Sequence, residues 1–427
     1  MLYSIIWIIM RLAIPVYFRR VVVLGQENIP KDKPVILASN HPNTFLDPVL
    51  IGIYYPRELH FLVRADVFRS PVASFVLRAL NQFPIYRMRD GYDQLARNRT
   101  TFDSCLKLLK KGKPLLFFPE ADSENEWHLR PLRKGTARLA LEATAGGLED
   151  VQIIPVGLHY SSFDKFRGEA SVSYGKPIAV ADYLKTYQEH PAKAYRELTD
   201  QITQGIRAEM IDVPREEDQE LVQACLQTVR ASIPSTLPKA ERNVEWLNRQ
   251  RQVIQWLSKH PAESPERQAV KSDLYQLRED LKSHDIAFRE IPPPSLNQDK
   301  VDSPAEFFLR MFILVFGLFA LIVVLPGQLV FGYLAQLIAG DTIFAGAINL
   351  SLRALGHLIW SAFCFFLFGP WIGLAVLVAP WLAGSWESNS FLTGSTERWQ
   401  RLKSRSKVKA EAITTTYHQL LATWQKP

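Results

Sequence analysis

Short apolar runs alternate with helical stretches between residues 20 and 180, and this alternation constrains the fold more than any other feature of the sequence. The candidate strands are Pro34–Ser39, His60–Val63, Phe83–Tyr86, Leu115–Phe118 and Val151–Leu158. Residues with helical spacing lie between them, at Pro48–Tyr55, Tyr92–Lys111 and Lys134–Ala145. Strand–helix alternation is typical of an α/β layer. We therefore predict an α/β domain with a mainly parallel sheet over residues 20–215.

The chain changes character after this domain. Residues 216–305 are charged and rich in Gln, Glu, Arg and Leu. Apolar residues recur there at helical spacing, for example Trp246, Val253 and Leu257, and the segment ends in the proline run Pro292–Pro294. This pattern predicts a helical segment followed by a linker.

Two long apolar runs then follow. Met311–Gly340 is a run of thirty residues without Asp, Glu, Lys, Arg or His, and Ala354–Trp386 is a run of 33 with only His357. A helix needs about 20 apolar residues to cross the hydrocarbon core of a bilayer. We therefore predict a C-terminal transmembrane helical hairpin over residues 306–386. The alternative is a pair of very hydrophobic core helices.

Basic residues flank the two apolar runs. Arg310 precedes them, and Arg398, Arg401, Lys403, Arg405, Lys407 and Lys409 follow. By the positive-inside rule both ends of the hairpin are cytosolic. The sequence thus predicts an integral membrane protein with a basic cytosolic tail at 387–427 and its α/β domain on the cytosolic face.

The N-terminal segment is also apolar. Residues 1–18 contain few polar side chains, and Arg19 and Arg20 follow. A signal peptide is not indicated, because no basic region precedes the apolar run and no cleavage site of small residues closes it. We predict an interfacial membrane helix over residues 1–19, with its arginines among lipid phosphates. A buried terminal helix is the alternative.

Charge and cysteine content narrow the class of partner. The 50 Lys and Arg residues exceed the 43 Asp and Glu residues, which gives a net charge of +7 and suits an acidic partner. The cysteines Cys105, Cys225 and Cys364 are too scattered for a disulfide framework or a zinc module. We expect no metal site, and we expect no nucleic-acid partner because no binding module is recognisable.

A histidine and an aspartate follow the first candidate strand, in Asn40-His41-Pro42-Asn43-Thr44-Phe45-Leu46-Asp47-Pro48. Open α/β sheets place their sites at such strand ends. A carboxylate can orient an imidazole, whose other nitrogen then takes a proton from an attacking hydroxyl. We predict that His41 and Asp47 form this dyad. Asp47 followed by a proline also fits a helix N-cap, which is compatible with catalysis.

Two further clusters suit a phosphorylated polyol. Arg87 ends a short strand, where it could clamp a phosphate, although a surface arginine would look the same. Glu120 follows another strand and basic residues return at 130–134, so the carboxylate could bind hydroxyls and the cations phosphate. A solvated acidic loop beside a basic helix start is the alternative. Val151–Gly157 reads as a buried structural strand.

Together these motifs resemble a known family. The ordered set N-H-P-N-x-F-x-D-P, F-P-I-Y-R, F-F-P-E-x-x-S, P-L-R-K-G and I-I-P-V-G is similar to the glycerolipid acyltransferases. These enzymes transfer a fatty acyl group from acyl-CoA or acyl carrier protein to a glycerophosphate or lysophospholipid, and the resemblance covers residues 20–180. It implies no cofactor beyond the acyl carrier, with a phospholipid membrane as the surroundings.

The resemblance also implies roles for individual residues. His41 would be the general base with Asp47 as its partner, and Arg87 would bind the acceptor phosphate. The acceptor site would include Glu120 with Ser123 nearby, and the basic pair Arg133 and Lys134 would help to hold phosphate. Pro155 and Gly157 would belong to the strand that lines the acyl pocket.

Departures from the common pattern bear on the acceptor. Five residues separate His41 from Asp47, one more than in most of the family, and this spacing resembles a fungal branch of glycerol-3-phosphate and dihydroxyacetone-phosphate acyltransferases. Ser123 stands where many members have arginine. We therefore expect glycerol-3-phosphate as the acceptor, with 1-acylglycerol-3-phosphate or another lysophospholipid as the rival. A non-catalytic lipid-binding scaffold is a remoter alternative, and a serine hydrolase is disfavoured because no G-x-S-x-G motif occurs.

Overall fold

The computed structural model describes residues 2–68, 70–86, 98–161, 163, 168–213, 218–231, 233, 239–284, 345–369, 402 and 406–425, with a few isolated positions between 327 and 337. These residues divide into two compact units. One unit comprises residues 1–212 with 331–355, and the other comprises 213–330 with 356–427.

An eight-stranded sheet, counted over the described residues, forms the centre of the first unit. Its strands are β1 Arg20–Leu24, β2 Val35–Ser39, β3 His60–Arg64, β4 Gln82–Ile85, β5 Leu115–Phe117, β6 Gln152–Tyr160, β7 Glu169–Tyr174 and β8 Ile178–Ala179. The spatial order is β1-β7-β6-β2-β5-β3-β4, with β8 beside β6. Only the β6–β7 and β6–β8 pairs are antiparallel among these strands. The predicted mainly parallel α/β sheet is confirmed.

The five predicted strands correspond to β2 through β6. The prediction omitted three strands: β1 at the end of the order, its neighbour β7, and the short β8. Strands β1 and β7 pair in parallel from Arg20 with Glu169 to Leu24 with Ser173. The sequence of β7, Glu-Ala-Ser-Val-Ser-Tyr, mixes polar and apolar residues, yet all six are buried. Polar residues at every second position hid a strand whose two faces are both covered.

Helices cover both faces of the sheet and build the second unit. They are α1 Leu2–Tyr17, α2 Leu46–Tyr54, α3 Pro71–Ala79, α4 Asn98–Lys110, α5 Gly135–Ala145, α6 Leu184–Glu189, α7 Pro191–Glu209, α8 Gln219–Ala231, α9 Lys239–Lys259, α10 Pro265–Ser283, α11 Ala345–Phe368 and α12 Lys407–Gln425. The three helices predicted between the strands are α2, α4 and α5. One core lies between the sheet and α1 with α2, and a second between the sheet and α4, α5 and α7.

The N-terminal helix α1 belongs partly to the first core. Its last turn buries Ile14 and Tyr17. The indole Nε1 of Trp7 donates a hydrogen bond to the carbonyl of Gly52 at 3.2 Å, and Arg11 donates to the carbonyl of Ile53 at 2.9 Å. One side of α1 is therefore fixed on α2, as the buried-helix alternative requires.

Residues 219–231, 239–259 and 265–283 of the second unit are helical, whereas the linker predicted at Pro292–Pro294 lies outside the described residues. A buried arginine, Arg267, bridges three segments there, with hydrogen bonds to the carbonyls of Leu257 and His260 and an ion pair with Asp218. The C-terminal helix α12 lies against α8, α9 and α10 and buries Tyr417. Part of the predicted basic tail is thus an ordered, packed helix.

Across the described ranges, no helix combines the length and the apolar character needed to cross a membrane. The hairpin predicted for residues 306–386 finds no support there. Most of the first apolar run and the end of the second lie outside the described residues.

Candidate active site

The loop between β2 and α2 brings His41 and Asp47 together. The Nδ1 atom of His41 lies 2.8 Å from Oδ2 of Asp47. The Asp47 side chain is fully buried, whereas 14% of the His41 side chain remains exposed. When the Asp47 carboxylate is ionised it only accepts hydrogen bonds, so a neutral imidazole bonded to it carries its proton on Nδ1 and presents Nε2 as an acceptor. The predicted pairing is present, and its catalytic role remains a prediction.

Asn43, and not Asp47, provides the side-chain cap at the start of helix α2. Helix α2 begins at Leu46, and Oδ1 of Asn43 accepts a hydrogen bond from the backbone N–H of Leu46 at 3.0 Å. Asp47 instead uses Oδ2 to accept the backbone N–H of Asn43 at 2.8 Å. The N-cap interpretation of Asp47 was therefore wrong. The carboxylate points back into the loop and holds it in shape.

Tyr160 was not among the predicted site residues, and it completes the surroundings of Asp47. Tyr160 lies on strand β6, and its hydroxyl donates a hydrogen bond of 2.6 Å to Oδ1 of Asp47. Both side chains are fully buried. Each carboxylate oxygen therefore has a donor, Tyr160 on Oδ1 and His41 with the Asn43 amide on Oδ2. The two residues are 113 positions apart, so no local motif joins them.

Burial raises the pKa of the Asp47 carboxyl above its ordinary value, because the charged form loses solvation. The contacts with His41, Tyr160 and the Asn43 amide oppose that rise. Burial likewise raises the pKa of the Tyr160 hydroxyl, so the phenol stays protonated and remains a donor. The arrangement is a buried carboxylate sustained by three hydrogen bonds.

Phe118 stacks on the imidazole ring of His41 and fixes its plane. Its ring stacks on the His41 imidazole with the ring centroids 3.8 Å apart and the planes inclined by 13°. Phe118 directly follows β5, the strand that pairs with β2. Neighbouring parallel strands thus bring His41 and Phe118 to one edge of the sheet, as the strand-end argument predicted.

Glu120 supports the His41 loop from the same edge. Its Oε1 accepts the backbone N–H of His41 at 2.7 Å, and its Oε2 accepts Nε of Arg130 at 2.7 Å. Burial raises the pKa of this carboxyl, and Arg130 opposes the rise. Both oxygens are occupied by protein donors. Acceptor binding by Glu120 remains a prediction, whereas its contact with the His41 loop is visible.

The predicted residues Ser123, Arg133 and Lys134 follow Glu120 in the sequence. The Ser123 hydroxyl hydrogen-bonds to that of Thr44, in the His41 loop. Arg133 and Lys134 have exposed side chains directly before α5, and the Arg133 amide donates to the Pro119 carbonyl at 2.7 Å, next to Phe118. Arg87 lies outside the described residues.

A buried hydroxyl marks the start of α5. The Thr136 side chain is 2% exposed, and its hydroxyl has no hydrogen-bond partner. The first N–H groups of a helix also lack intrahelical partners and attract anions. The start of α5 therefore combines an unpaired hydroxyl, helix N–H groups and two exposed cations.

Cysteine and metal chemistry find no site in the part of the chain that the structure describes. Cys105, Cys225 and Cys364 are buried, and burial raises the pKa of the Cys105 thiol to about 12. A thiol with so high a pKa is a poor nucleophile, because the thiolate is the reactive form. In the same residues no group of three or more His, Cys, Asp or Glu could hold a metal ion.

Known proteins resemble the part of the chain that contains these residues. Residues 20–159 match the family model described as Acyltransferase. An uncharacterized acyltransferase of Schizosaccharomyces pombe is 22% identical, with 55% of this chain and 48% of that protein covered. Glycerol-3-phosphate O-acyltransferase 2 of Saccharomyces cerevisiae is 30% identical over 34% of this chain and 20% of that protein.

A plant relative is named for transfer to 1-acyl-sn-glycerol-3-phosphate. The chloroplastic 1-acyl-sn-glycerol-3-phosphate acyltransferase BAT2 of Brassica napus is 29% identical over 33% of this chain and 38% of that protein. The chain therefore spans less than half the length of these three relatives. The resemblance to glycerolipid acyltransferases, fungal glycerol-3-phosphate enzymes included, is confirmed.

Proposed function

Because residues 20–159 match the acyltransferase family and resemble glycerolipid acyltransferases, we propose that this protein is a membrane-bound O-acyltransferase of phospholipid synthesis. It would transfer a fatty acyl group from acyl-CoA, or from acyl carrier protein, to glycerol-3-phosphate. The observation that carries the proposal is the His41–Asp47 pair within the matched segment. A lipid-binding scaffold would have no use for a buried carboxylate aligned on a histidine.

The proposed reaction is a direct attack. The acceptor hydroxyl gives its proton to Nε2 of His41 while its oxygen attacks the thioester carbonyl. The C–S bond then breaks, and the thiolate leaves and takes up a proton. Thiolates are good leaving groups, so one base and correct orientation suffice. The high pKa of Cys105 argues against a cysteine acyl-enzyme.

We place the acceptor phosphate at the start of α5. Arg133, Lys134 and the Thr136 hydroxyl lie there beside helix N–H groups. The backbone of Arg133 is tied to Pro119, which is next to the phenyl ring stacked on His41. Phosphate bound there would lie near the segment Phe118–Pro119, which stacks on His41 through Phe118. Arg87, Glu120 and Ser123 complete the proposed acceptor site.

Lysophosphatidate acyl transfer is the second candidate. The plant relative has that activity in its name, and the yeast relative has the other. Both acceptors present a phosphate and a free hydroxyl, so the same groups would serve either. We prefer glycerol-3-phosphate because of the five residues between His41 and Asp47.

Membrane attachment is part of the proposal. On α1, the side chains of Ile5, Ile8 and Leu12 lie outside the first core and are 47%, 53% and 51% exposed. We propose that this side of α1 lies in the headgroup layer, with the domain on the cytosolic face. We also retain residues 306–386 as a proposed second attachment, on the sequence argument alone.

An acceptor comparison tests the proposal. Detergent-solubilised protein is supplied with labelled palmitoyl-CoA and either glycerol-3-phosphate or 1-acylglycerol-3-phosphate. We expect faster product formation with glycerol-3-phosphate. A faster reaction with the lysolipid would select the second candidate. The acyltransferase assignment would be contradicted if neither acceptor gave product, and if acyl carrier protein as the donor and a panel of lysolipids as acceptors gave none either.

A further inference from the structure

Helix α3 is an unusual crossover helix. It connects the parallel strands β3 and β4, yet none of its residues is buried. Val72 and Phe75 are 73% and 74% exposed, and Val67, in the 3₁₀ turn before the helix, is 42% exposed. A crossover helix normally buries an apolar side against the sheet and turns polar residues outward. Helix α3 turns apolar residues outward.

The topology places α3 on the sheet face that carries α2. The chain moves from β2 to β3 and from β3 to β4 in one direction across the sheet. Right-handed crossovers in one direction put their helices on one face. Helix α1 packs on α2, so all three helices share that face.

One residue joins the ends of α1 and α3. The hydroxyl of Tyr3, at the start of α1, accepts the backbone N–H of Leu59 at 3.2 Å. The side chain of Asn81, two residues after α3, donates to the Leu59 carbonyl at 3.4 Å. Leu59 therefore links the start of α1 to the residues directly after α3. We group the exposed apolar side chains of these neighbouring segments. We name them the α1–α3 surface, with members Ile5, Ile8, Leu12, Val67, Val72 and Phe75.

Both contributing segments are basic. Residues 2–26 contain three arginines and no acidic residue. Residues 64–89 contain five arginines and one acidic residue, Asp66, which forms an ion pair with Arg64. Arg78, in the last turn of α3, is exposed. Exposed apolar side chains in segments rich in arginine match an anionic bilayer. A second copy of this surface would set arginines against arginines, which disfavours a symmetric dimer.

We propose that α3 is a further membrane-contact element, which inserts Val72 and Phe75 into the headgroup boundary of an anionic bilayer beside α1. The inference deepens the proposed membrane attachment and rests on it. Two contacts would fix the orientation of the domain on the bilayer. The loop that carries His41 leads directly into α2, the helix on which α1 packs, so the dyad would lie one helix layer from the lipids.

A local fluorescent probe tests the contact in the full chain. Phe75→Cys is labelled with an environment-sensitive fluorophore and mixed with vesicles of phosphatidylcholine and phosphatidylglycerol. The control is Val244→Cys on α9, where the native side chain is 49% exposed. The native cysteines are buried and stay unlabelled. We expect a blue shift at position 75 and about twofold quenching by spin-labelled lipids, with neither at position 244.

Three results would overturn the proposal. The label at position 75 could keep its aqueous emission with vesicles, it could respond as little as the control, or it could shift without vesicles as protein concentration rises, which would identify a second copy as the partner. Acyl transfer measured in detergent keeps the two proposals apart. A quenched label in a protein without transferase activity would refute the enzyme and retain the surface.

Discussion

Asp47 shows how a single buried charge is maintained at the residue scale. Its carboxylate is removed from water, which raises its pKa, and three donors stabilise the charged form in compensation. Removal of one donor should therefore make the carboxylate more basic and protonate it at higher pH. Protonated Asp47 cannot orient the Nδ1–H of His41, so the dyad fails as pH falls.

Tyr160→Phe tests this account, because it removes only the hydroxyl on Oδ1. We expect kcat to fall about tenfold and the acidic limb of the kcat–pH profile to move upward by about one pH unit, while KM for the acyl donor is unchanged. The measurement is kcat and KM from pH 5 to pH 9.

Tyr174→Phe is the matched control for Tyr160→Phe. Tyr174 is a buried tyrosine of the neighbouring strand β7, and its hydroxyl faces the Ile51 carbonyl at 3.5 Å. A merely structural role for Tyr160 would lower activity at every pH alike. An unmoved acidic limb, or an equal shift in the control, would refute the positioning role.

The sequence could predict the contact between His41 and Asp47 but not the residues that support it. His41 and Asp47 lie in one short loop, so their spacing carries the signal. Tyr160 and Phe118 reach the loop through the register of β6 and β5, which sequence spacing does not encode. Arg87 lies outside the described residues, so its predicted role in phosphate binding stays a prediction.

At the scale of elements, one close contact joins β6 to the end of α7. A Cβ atom added at Gly157 would lie 2.3 Å from the carbonyl carbon and oxygen of Glu209. Backbone atoms cannot move aside as a flexible side chain would. The strand needs a glycine here because the helix end lies directly on it.

Gly157→Ala should therefore destabilise the first unit by about 2–3 kcal/mol, as expected for overpacking. Gly135→Ala is the control, because no atom lies within 4 Å of its added Cβ. We expect the control to change stability by less than about 0.5 kcal/mol. Denaturant unfolding of both variants measures the difference, and equal midpoints would contradict the packing argument.

Local patterning identified five strands and the helices between them, because each was an uninterrupted apolar run or an amphipathic stretch. It missed β7 because polar residues alternate along a strand that is covered on both faces. It also treated α1 as wholly interfacial or wholly buried. Helix α2 covers one side of α1, and the other side, with Ile5, Ile8 and Leu12, is exposed.

At the scale of the whole molecule, buried titratable groups couple the fold to pH. Burial lowers the pKa of His159 to about 3, and the residue is 5% exposed. The unfolded chain binds this proton below the ordinary histidine value of 6.5, whereas the folded chain does not. Stability from this group is therefore complete above pH 6.5 and is lost as pH falls toward 3.

His159→Gln should flatten the acid limb of the stability curve. We expect the wild type to lose up to about 1.4 kcal/mol per pH unit from this residue between pH 6 and pH 4, and the variant to lack that slope. The raised pKa values of Asp47 and Glu120 act with the opposite sign, but both proteins contain these groups. Parallel stability curves from urea unfolding would contradict the buried neutral histidine.

The measurement closest to the central claim is acyl transfer by His41→Ala beside the wild type. Both proteins, matched by circular dichroism, receive labelled palmitoyl-CoA and glycerol-3-phosphate. We expect kcat of the variant to fall by at least about 10²-fold, because the variant lacks the general base, while its fold is retained. A folded variant with wild-type turnover would contradict the proposed role of the His41–Asp47 dyad.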